Sequence, residues 1–178
     1  FGARGNLSRV KLVPGLFHLD ESGQLPAKMK ILSVGRQSIS PEDWQAEIKG
    51  MLDNKFNKNY DKETFRRFIK RNIYHANLPD DPDAFKKFAA RLNDDKIFPP
   101  NFSFFLSVRP SDFALIVDRL AGEGLLDDKI SWRRVLIEKP FGTDLKSANE
   151  LQKSISKHLK EKQICLLYTS DAADDANC

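Results

Sequence analysis

The first 164 residues of this 178-residue chain contain no cysteine, since the only two cysteines are Cys165 and Cys178. A disulfide framework of the kind that stabilises small secreted proteins is therefore excluded. No apolar run approaches the ~20 residues that a membrane-spanning helix needs, and the chain does not open with the series typical of a secretory signal. We expect no membrane partner and a cytoplasmic location, with an organellar form left open.

The chain also lacks any block of basic residues. Its 29 Lys and Arg residues and 25 Asp and Glu residues are spread along the sequence and leave a net charge of only +4. A nucleic-acid surface requires clustered basic residues. We therefore expect no nucleic-acid partner, while a small phosphorylated ligand is compatible with the composition. As a separate expectation, we assign no metal-binding residues.

The segments that are present alternate between strand-like and helix-like patterns. With 40% hydrophobic and 30% charged residues, the chain has the composition of a globular domain with its own core. Strands are predicted at residues 30–34, near 73–74, and at 102–108 and 132–137, and helices are predicted between and after them. This alternation predicts an α/β fold with a doubly wound, Rossmann-like parallel sheet, which binds ligands at the carboxyl ends of its strands.

Gly2 and Gly5, followed by the small residue Ser8, form a glycine-spaced turn that leads into a helical pattern. Glycines allow a tight bend and let backbone amides approach a diphosphate at the positive end of the helix. Two glycines are also compatible with an ordinary turn, so this alternative stays open.

Arg36 follows Gly35 directly after the first predicted strand. A dinucleotide-binding fold senses the adenosine ribose at this place, where an arginine favours the 2′-phosphate of NADP over the 2′-hydroxyl of NAD. The alternative is an ordinary solvated arginine.

Lys139 lies in the sequence Glu138-Lys139-Pro140, at the carboxyl end of the predicted strand 132–137. Its ammonium group can donate hydrogen bonds to a sugar hydroxyl or to a phosphate in the cleft. The alternative is a strand-exit turn with solvated charges.

Together, four segments resemble the amino-terminal NADP-binding domain of glucose-6-phosphate dehydrogenase. They are FGARGNLSRVKLVPGLFHLDESGQLP, ILSVGRQ, FFLSVRPSDF and VLIEKPFGTDLKSANEL, in this order. The likeness covers nearly all of residues 1–164, which we predict to be a partial dinucleotide-binding domain. The family oxidises glucose 6-phosphate to 6-phosphogluconolactone with hydride transfer to NADP, the first step of the pentose phosphate pathway.

The resemblance also implies roles for individual residues. The cofactor-binding residues would be Gly2, Ala3, Arg4, Gly5, Asn6, Leu7, Arg36 and Lys139. Lys139 and Lys11 would bind the substrate. Arg4 and Asn6 depart from the small residue and the aspartate that are usual in the family, and Arg4 would either crowd the diphosphate or add positive charge beside it.

The resemblance further implies that parts of the family's protein are missing. These are the first strand and a carboxyl-terminal α+β domain, which carries the general-base histidine and the interface of a homo-oligomer. None of His18, His75 and His158 matches that base, so we predict no catalytic residue in this chain and no activity of the 178 residues alone.

Residues 165–178 differ from the preceding chain. The sequence from Cys165 to Asp174 is similar to an in-frame translation of a sequencing-library adapter, so we predict a non-native tail. Two further functions stay open: a sugar oxidoreductase of the glucose–fructose oxidoreductase type, which also carries Glu-Lys-Pro, and a nucleotide-binding module without catalysis.

Overall fold

The computed structural model describes residues 1–78, 81–138 and 144–167. Within them, a π-helical turn (Ser8–Leu12) and a 3-10 turn (Glu161–Gln163) accompany the regular elements. The helices are α1 (Val13–Glu21), α2 (Pro41–Phe56), α3 (Lys62–Arg71), α4 (Ala84–Leu92), α5 (Pro110–Gly122) and α6 (Leu145–Ile155). The strands are β1 (Ile31–Gly35), β2 (Asn72–Ala76), β3 (Phe102–Leu106), β4 (Arg133–Glu138) and β5 (Ile164–Leu167).

Every strand pair in the described residues is parallel. One sheet has the order β1-β2, with Gly35 opposite Ala76 at its carboxyl end, and the other has the order β3-β4-β5. The chain divides into two compact units, Phe1–Pro99 with the first sheet and a unit beginning at Pro100 with the second. The predicted α/β class with helices between parallel strands is confirmed, although the strands are divided between two sheets.

Helix α2 follows the sequence signals closely. The Ser40 side chain accepts a hydrogen bond from the amide of Asp43 at 3.0 Å, and Pro41 occupies the first helical position. This helix packs in the core of the first unit. That core consists of Ala3, Val13, Phe17, Trp44, Ile48, Met51, Leu52 and Phe68.

The helix after the glycine-rich turn changes its geometry at Ser8–Leu12. Pro14 has no N–H for a bond to the preceding turn, and the wider π turn ends immediately before α1, where Pro14 stands among the first two residues. Because a π turn contains more residues than an α turn, Val10 leaves the apolar face that helical spacing predicts for it and is half exposed. Val13 and Phe17, which helical spacing places on the same apolar face, are buried.

The sequence predicts that Thr143-Asp144 caps the last helix. Thr143 lies outside the described residues, while α6 begins as predicted and ends earlier. Asp144 accepts a hydrogen bond from the amide of Ser147 at 2.7 Å, which confirms the cap. The pattern predicts a helix through Leu159, but α6 ends at Ile155. The amides of His158 and Leu159 both donate to the carbonyl oxygen of Ile155, so the chain turns there while Leu159 still reaches a buried position.

Strand β5 crosses the predicted domain boundary at residue 164. Cys165, Leu166 and Leu167 pair with Leu136, Ile137 and Glu138 of β4. An extended apolar segment can pair with an open strand edge whatever its origin, so the adapter-derived tail at residues 165–178 stays a prediction. Residues 168–178 lie outside the described residues.

Across the described ranges, no helix has the length and apolar character needed to cross a membrane.

Candidate nucleotide-binding site

The glycine-rich turn is attached to the carboxyl end of β1. The amides of Gly2 and Ala3 both donate to the carbonyl oxygen of Val34, at 3.1 and 3.0 Å. Gly2 has a φ of +81°, in the left-handed region that glycine adopts without a steric cost. The turn therefore lies at the end of the sheet where parallel α/β proteins bind their ligands.

The helix begins directly after this turn. The amide of Arg9 donates to the carbonyl oxygen of Gly5 at 3.1 Å, which makes Gly5 the last residue before the helix. The amides of residues 6–8 precede any helical acceptor, so they are the donors at the positive end of the helix dipole. Asn6 and Leu7, both predicted to bind the cofactor, belong to this group. Backbone donors in this arrangement bind phosphate groups.

The second predicted element of the site is the turn after β1. Arg36 follows Gly35 at the carboxyl end of the strand and is exposed. Within the described part of the chain, no ion pair or hydrogen bond occupies its guanidinium. Five N–H donors in a planar fork are thus available for a phosphate beside this strand.

Tyr74 is hydrogen-bonded to the turn that carries Arg36. Its hydroxyl donates to the carbonyl oxygen of Gln37 at 2.9 Å, and its ring centroid lies 5.1 Å from that of Trp44. Burial raises the pKa of Tyr74, so the hydroxyl keeps its proton and remains a donor. A Cβ atom on Gly35 would overlap the Tyr74 hydroxyl, so glycine is required there for close approach of the ring.

Arg4 connects the two turns. Its Nε and Nη2 atoms lie 3.1 and 2.8 Å from the two carboxylate oxygens of Glu47 on α2. Its Nη1 donates to the side-chain oxygen of Gln37, the residue after Arg36. The guanidinium of Arg4 is thus directed toward the Arg36 turn.

The structure brings the turn of residues 2–7 and Arg36 together at the carboxyl end of β1. Lys11 is exposed in the π turn that follows. Lys139 lies in the segment 139–143, outside the described residues. The ligand contacts expected for all of these residues remain predictions.

A family model described as the NAD binding domain of glucose-6-phosphate dehydrogenase matches residues 1–167. The chain belongs to this family. Among its relatives are the glucose-6-phosphate 1-dehydrogenases of Bacillus subtilis, 33% identical, and Treponema pallidum, 34% identical, each over 167 residues. The matches cover 92% of this chain but only 33% and 32% of those proteins, so the chain spans about a third of their length.

Solved structures of the family have the same fold. The crystal structure of glucose-6-phosphate 1-dehydrogenase from Mycobacterium avium is 28% identical to this chain and superimposes with a TM-score of 0.81. A glucose-6-phosphate dehydrogenase in complex with glucose-6-phosphate is 31% identical, also with a TM-score of 0.81. The matches cover 94% of this chain and 34% and 35% of those structures. They support the Rossmann-like assignment made from the sequence.

Two of the three histidines lie near a carboxylate, and the third is half-buried. His18 lies 3.7 Å from a carboxylate oxygen of Glu21, and His158 lies 3.2 Å from one of Asp118. His75 is half-buried, and burial, with a smaller effect of a nearby arginine, lowers its pKa. We assign none of them a catalytic role. Nor does any group of three or more His, Cys, Asp or Glu side chains within the described ranges form a metal site.

Three residues around the two turns are absent from the predicted site residues. Gln37 follows Arg36 directly, and this adjacency is a signal that points to it. The sequence identifies Tyr74 only as a strand residue, and it identifies Glu47 only as one of many charged residues on the polar face of α2. Neither has a sequence signal that connects it with Arg4, because the contacts depend on how α2 and β2 pack beside β1.

Proposed function

We propose that this chain is the dinucleotide-binding part of an NADP-dependent glucose-6-phosphate dehydrogenase. The protein would oxidise glucose 6-phosphate to 6-phosphogluconolactone and reduce NADP, as the first step of the pentose phosphate pathway. The observation that carries the proposal is the joining of a glycine-rich turn and an exposed arginine at the carboxyl end of β1 in a member of this family.

The donors present fit an NADP molecule. The amides of residues 6–8 would bind the diphosphate at the positive end of the helix, and Arg36 would bind the 2′-phosphate with paired N–H groups. Gly35 and Tyr74 would orient Arg36 by fixing the turn that carries it. When bound, NADP supplies the chemistry of hydride acceptance at its nicotinamide.

Two lysines are proposed to bind the sugar phosphate. Lys139 would donate to both the nicotinamide side and the substrate, and Lys11 would contribute a positive charge from the π turn. A lysine ammonium has three donors and no acceptor, which suits phosphate and hydroxyl oxygens. We further propose that the complete protein is a cytoplasmic homo-oligomer and that its proton acceptor is none of the three histidines of this chain.

The test is enzymatic. The protein translated from the full open reading frame should produce NADPH from glucose 6-phosphate, with NADP strongly preferred to NAD. Arg36→Ala should raise KM for NADP about 10-fold or more while changing KM for NAD little, because a charge-assisted pair to the phosphate is lost. Equal loss with both dinucleotides would refute the role of Arg36.

The same assay separates the alternatives. A sugar oxidoreductase of the glucose–fructose oxidoreductase type would act on unphosphorylated sugar, and a binding module would bind the dinucleotide without turnover. The family match favours the dehydrogenase over both.

A further inference from the structure

The guanidinium of Arg4 is already paired with a carboxylate. Glu47 accepts from its Nε and Nη2 with both oxygens, and the two side chains are 34% and 21% exposed. The remaining arm of the guanidinium donates to Gln37. Arg4 is thus fixed between helix α2 and the turn that carries Arg36.

The charges of this pair act on the Arg36 turn itself. Tyr74, whose hydroxyl binds the carbonyl oxygen of Gln37, has its pKa lowered by Arg4 and raised by Glu47, in addition to the larger effect of burial. The two charges therefore oppose each other at the Tyr74 hydroxyl, which is hydrogen-bonded to the turn that carries Arg36.

A phosphate and a carboxylate compete for the same donors of an arginine. Both accept two parallel N–H bonds from the planar guanidinium, and a phosphate monoester carries a charge of about −1.5 to −2 at neutral pH. The partly exposed Arg4–Glu47 pair is weak enough to rearrange. Glu47 would meanwhile repel the incoming phosphate.

We propose that Arg4 is a second cation for the 2′-phosphate and that Glu47 is its counter-ion, which limits the preference of the site for NADP. This inference rests on the proposed function, in which Arg36 binds the same phosphate. Glu47 is thereby a specificity-determining residue on α2, although it lies outside both turns.

The experiment measures the dissociation constants of NADP and NAD for the protein translated from the full open reading frame. Glu47→Gln should tighten NADP binding by about 3- to 10-fold and leave NAD binding unchanged, since removing one nearby charge favours only the phosphorylated ligand. Arg4→Gln should weaken NADP binding by a similar factor and also spare NAD. Added salt should reduce both effects.

Glu21→Gln is the matched control. It removes the same charge at the far end of α1, about 20 Å along the helix from the glycine-rich turn at 1.5 Å per residue, and should change neither constant. Adenosine 2′,5′-bisphosphate and adenosine 5′-monophosphate, used as competing probes, should show the same differences if the effect lies at the adenosine end.

Arg36→Ala distinguishes the two levels of the proposal. If it fails to reduce the preference for NADP, the role of Arg36 in the proposed function is wrong and the inference about Arg4 and Glu47 falls with it. If it reduces the preference while Glu47→Gln does not increase it, only the inference about Glu47 is overturned. A uniform loss of both dinucleotides in Arg4→Gln would make Arg4 a structural support of the turn and would overturn its role as a second cation.

Discussion

Gly35 shows how a single missing side chain determines the geometry of the candidate site. We predict that Gly35→Ala lowers the free energy of unfolding by about 1–3 kcal/mol, since its Cβ overlaps the Tyr74 hydroxyl and the ring is packed against Trp44. NADP affinity should fall as well, because the displaced Tyr74 releases the carbonyl of Gln37. Urea denaturation and nucleotide titration measure the two effects.

Gly15→Ala provides the comparison. Gly15 lies in α1 with no atom within 4 Å of an added Cβ, so alanine should stabilise the helix by about 0.5–1 kcal/mol. A similar loss of stability in both variants would show that Tyr74 is not the cause.

At the residue scale, the sequence could predict positions that depend on their immediate neighbours. Arg36 is recognisable because it follows a strand, and Ser40 because it precedes a proline and two acids. Arg4 was recognisable as a departure, but its partner Glu47 lies 43 positions away. Which carboxylate pairs with Arg4 depends on tertiary packing, and a single sequence does not show which distant residues are brought together.

Helices α1 and α3 are joined by two ion pairs that share the buried carboxylate of Asp20. Asp20 is almost fully buried and lies 3.1 and 3.0 Å from the Nε atoms of Arg67 and Arg71. We predict that Asp20→Asn lowers the free energy of unfolding by about 3–5 kcal/mol, because Arg71 stays buried without its counter-ion. Glu21→Gln, at a more exposed neighbouring position, should change stability by less than about 0.5 kcal/mol. A small effect of Asp20→Asn in urea denaturation would contradict this assignment.

The pairing of Asp128 with two lysines should make the free energy of unfolding depend on pH in the acid range. Lys160 and Lys162 each lie 2.9 Å from an Asp128 oxygen, and their hydrogen bonds lower the pKa of Asp128 to about 2 from 3.8. Its folded pKa is below its unfolded pKa, so its stabilising contribution is complete above 3.8 and is lost as the pH falls through about 2. Asp128→Asn should remove this part of the acid sensitivity, which urea midpoints measured across the same pH range would show. An unchanged pH profile in Asp128→Asn would exclude the Asp128–lysine pairs as the source of the acid sensitivity.

At the element scale, start signals are sufficient to place the beginnings of α2 and α6. Asp144 and Ser40 cap their helices as the sequence indicates. The π turn was not predictable in the same way, because Pro14 indicates only that the helix must adjust and not which adjustment occurs. The end of α6 at Ile155 is not predictable from the pattern either, since Leu159 continues the apolar spacing although the backbone has already turned.

For the whole molecule, the clearest prediction concerns activity. We expect the 178-residue chain to bind NADP at most weakly and to produce no NADPH from glucose 6-phosphate, because the resemblance matches none of its histidines, His18, His75 and His158, to the general base of the family. Turnover by the purified chain would contradict this prediction. The protein from the full open reading frame, assayed in parallel, shows that the assay conditions support the reaction.

The parallel α/β architecture was predictable from the alternation of elements, since parallel strands require helical crossovers between them. The division into two sheets was not predictable, because hydrophobic patterns identify strands without identifying every neighbour. Strand β5 is absent from the predicted strands for a different reason: its residues after Ile164 fall in the predicted non-native tail, for which the sequence predicts no element.

The carbonyl oxygen of Val34 accepts hydrogen bonds from two successive amides, so the glycine-rich turn cannot leave β1 without losing both at once. The turn and the strand should open as one cooperative segment. In hydrogen–deuterium exchange, the amide of Ala3 should then exchange at the same rate as the backbone amides of β1, and any change in one rate should be matched by the other. Turns on protein surfaces, by contrast, generally exchange early.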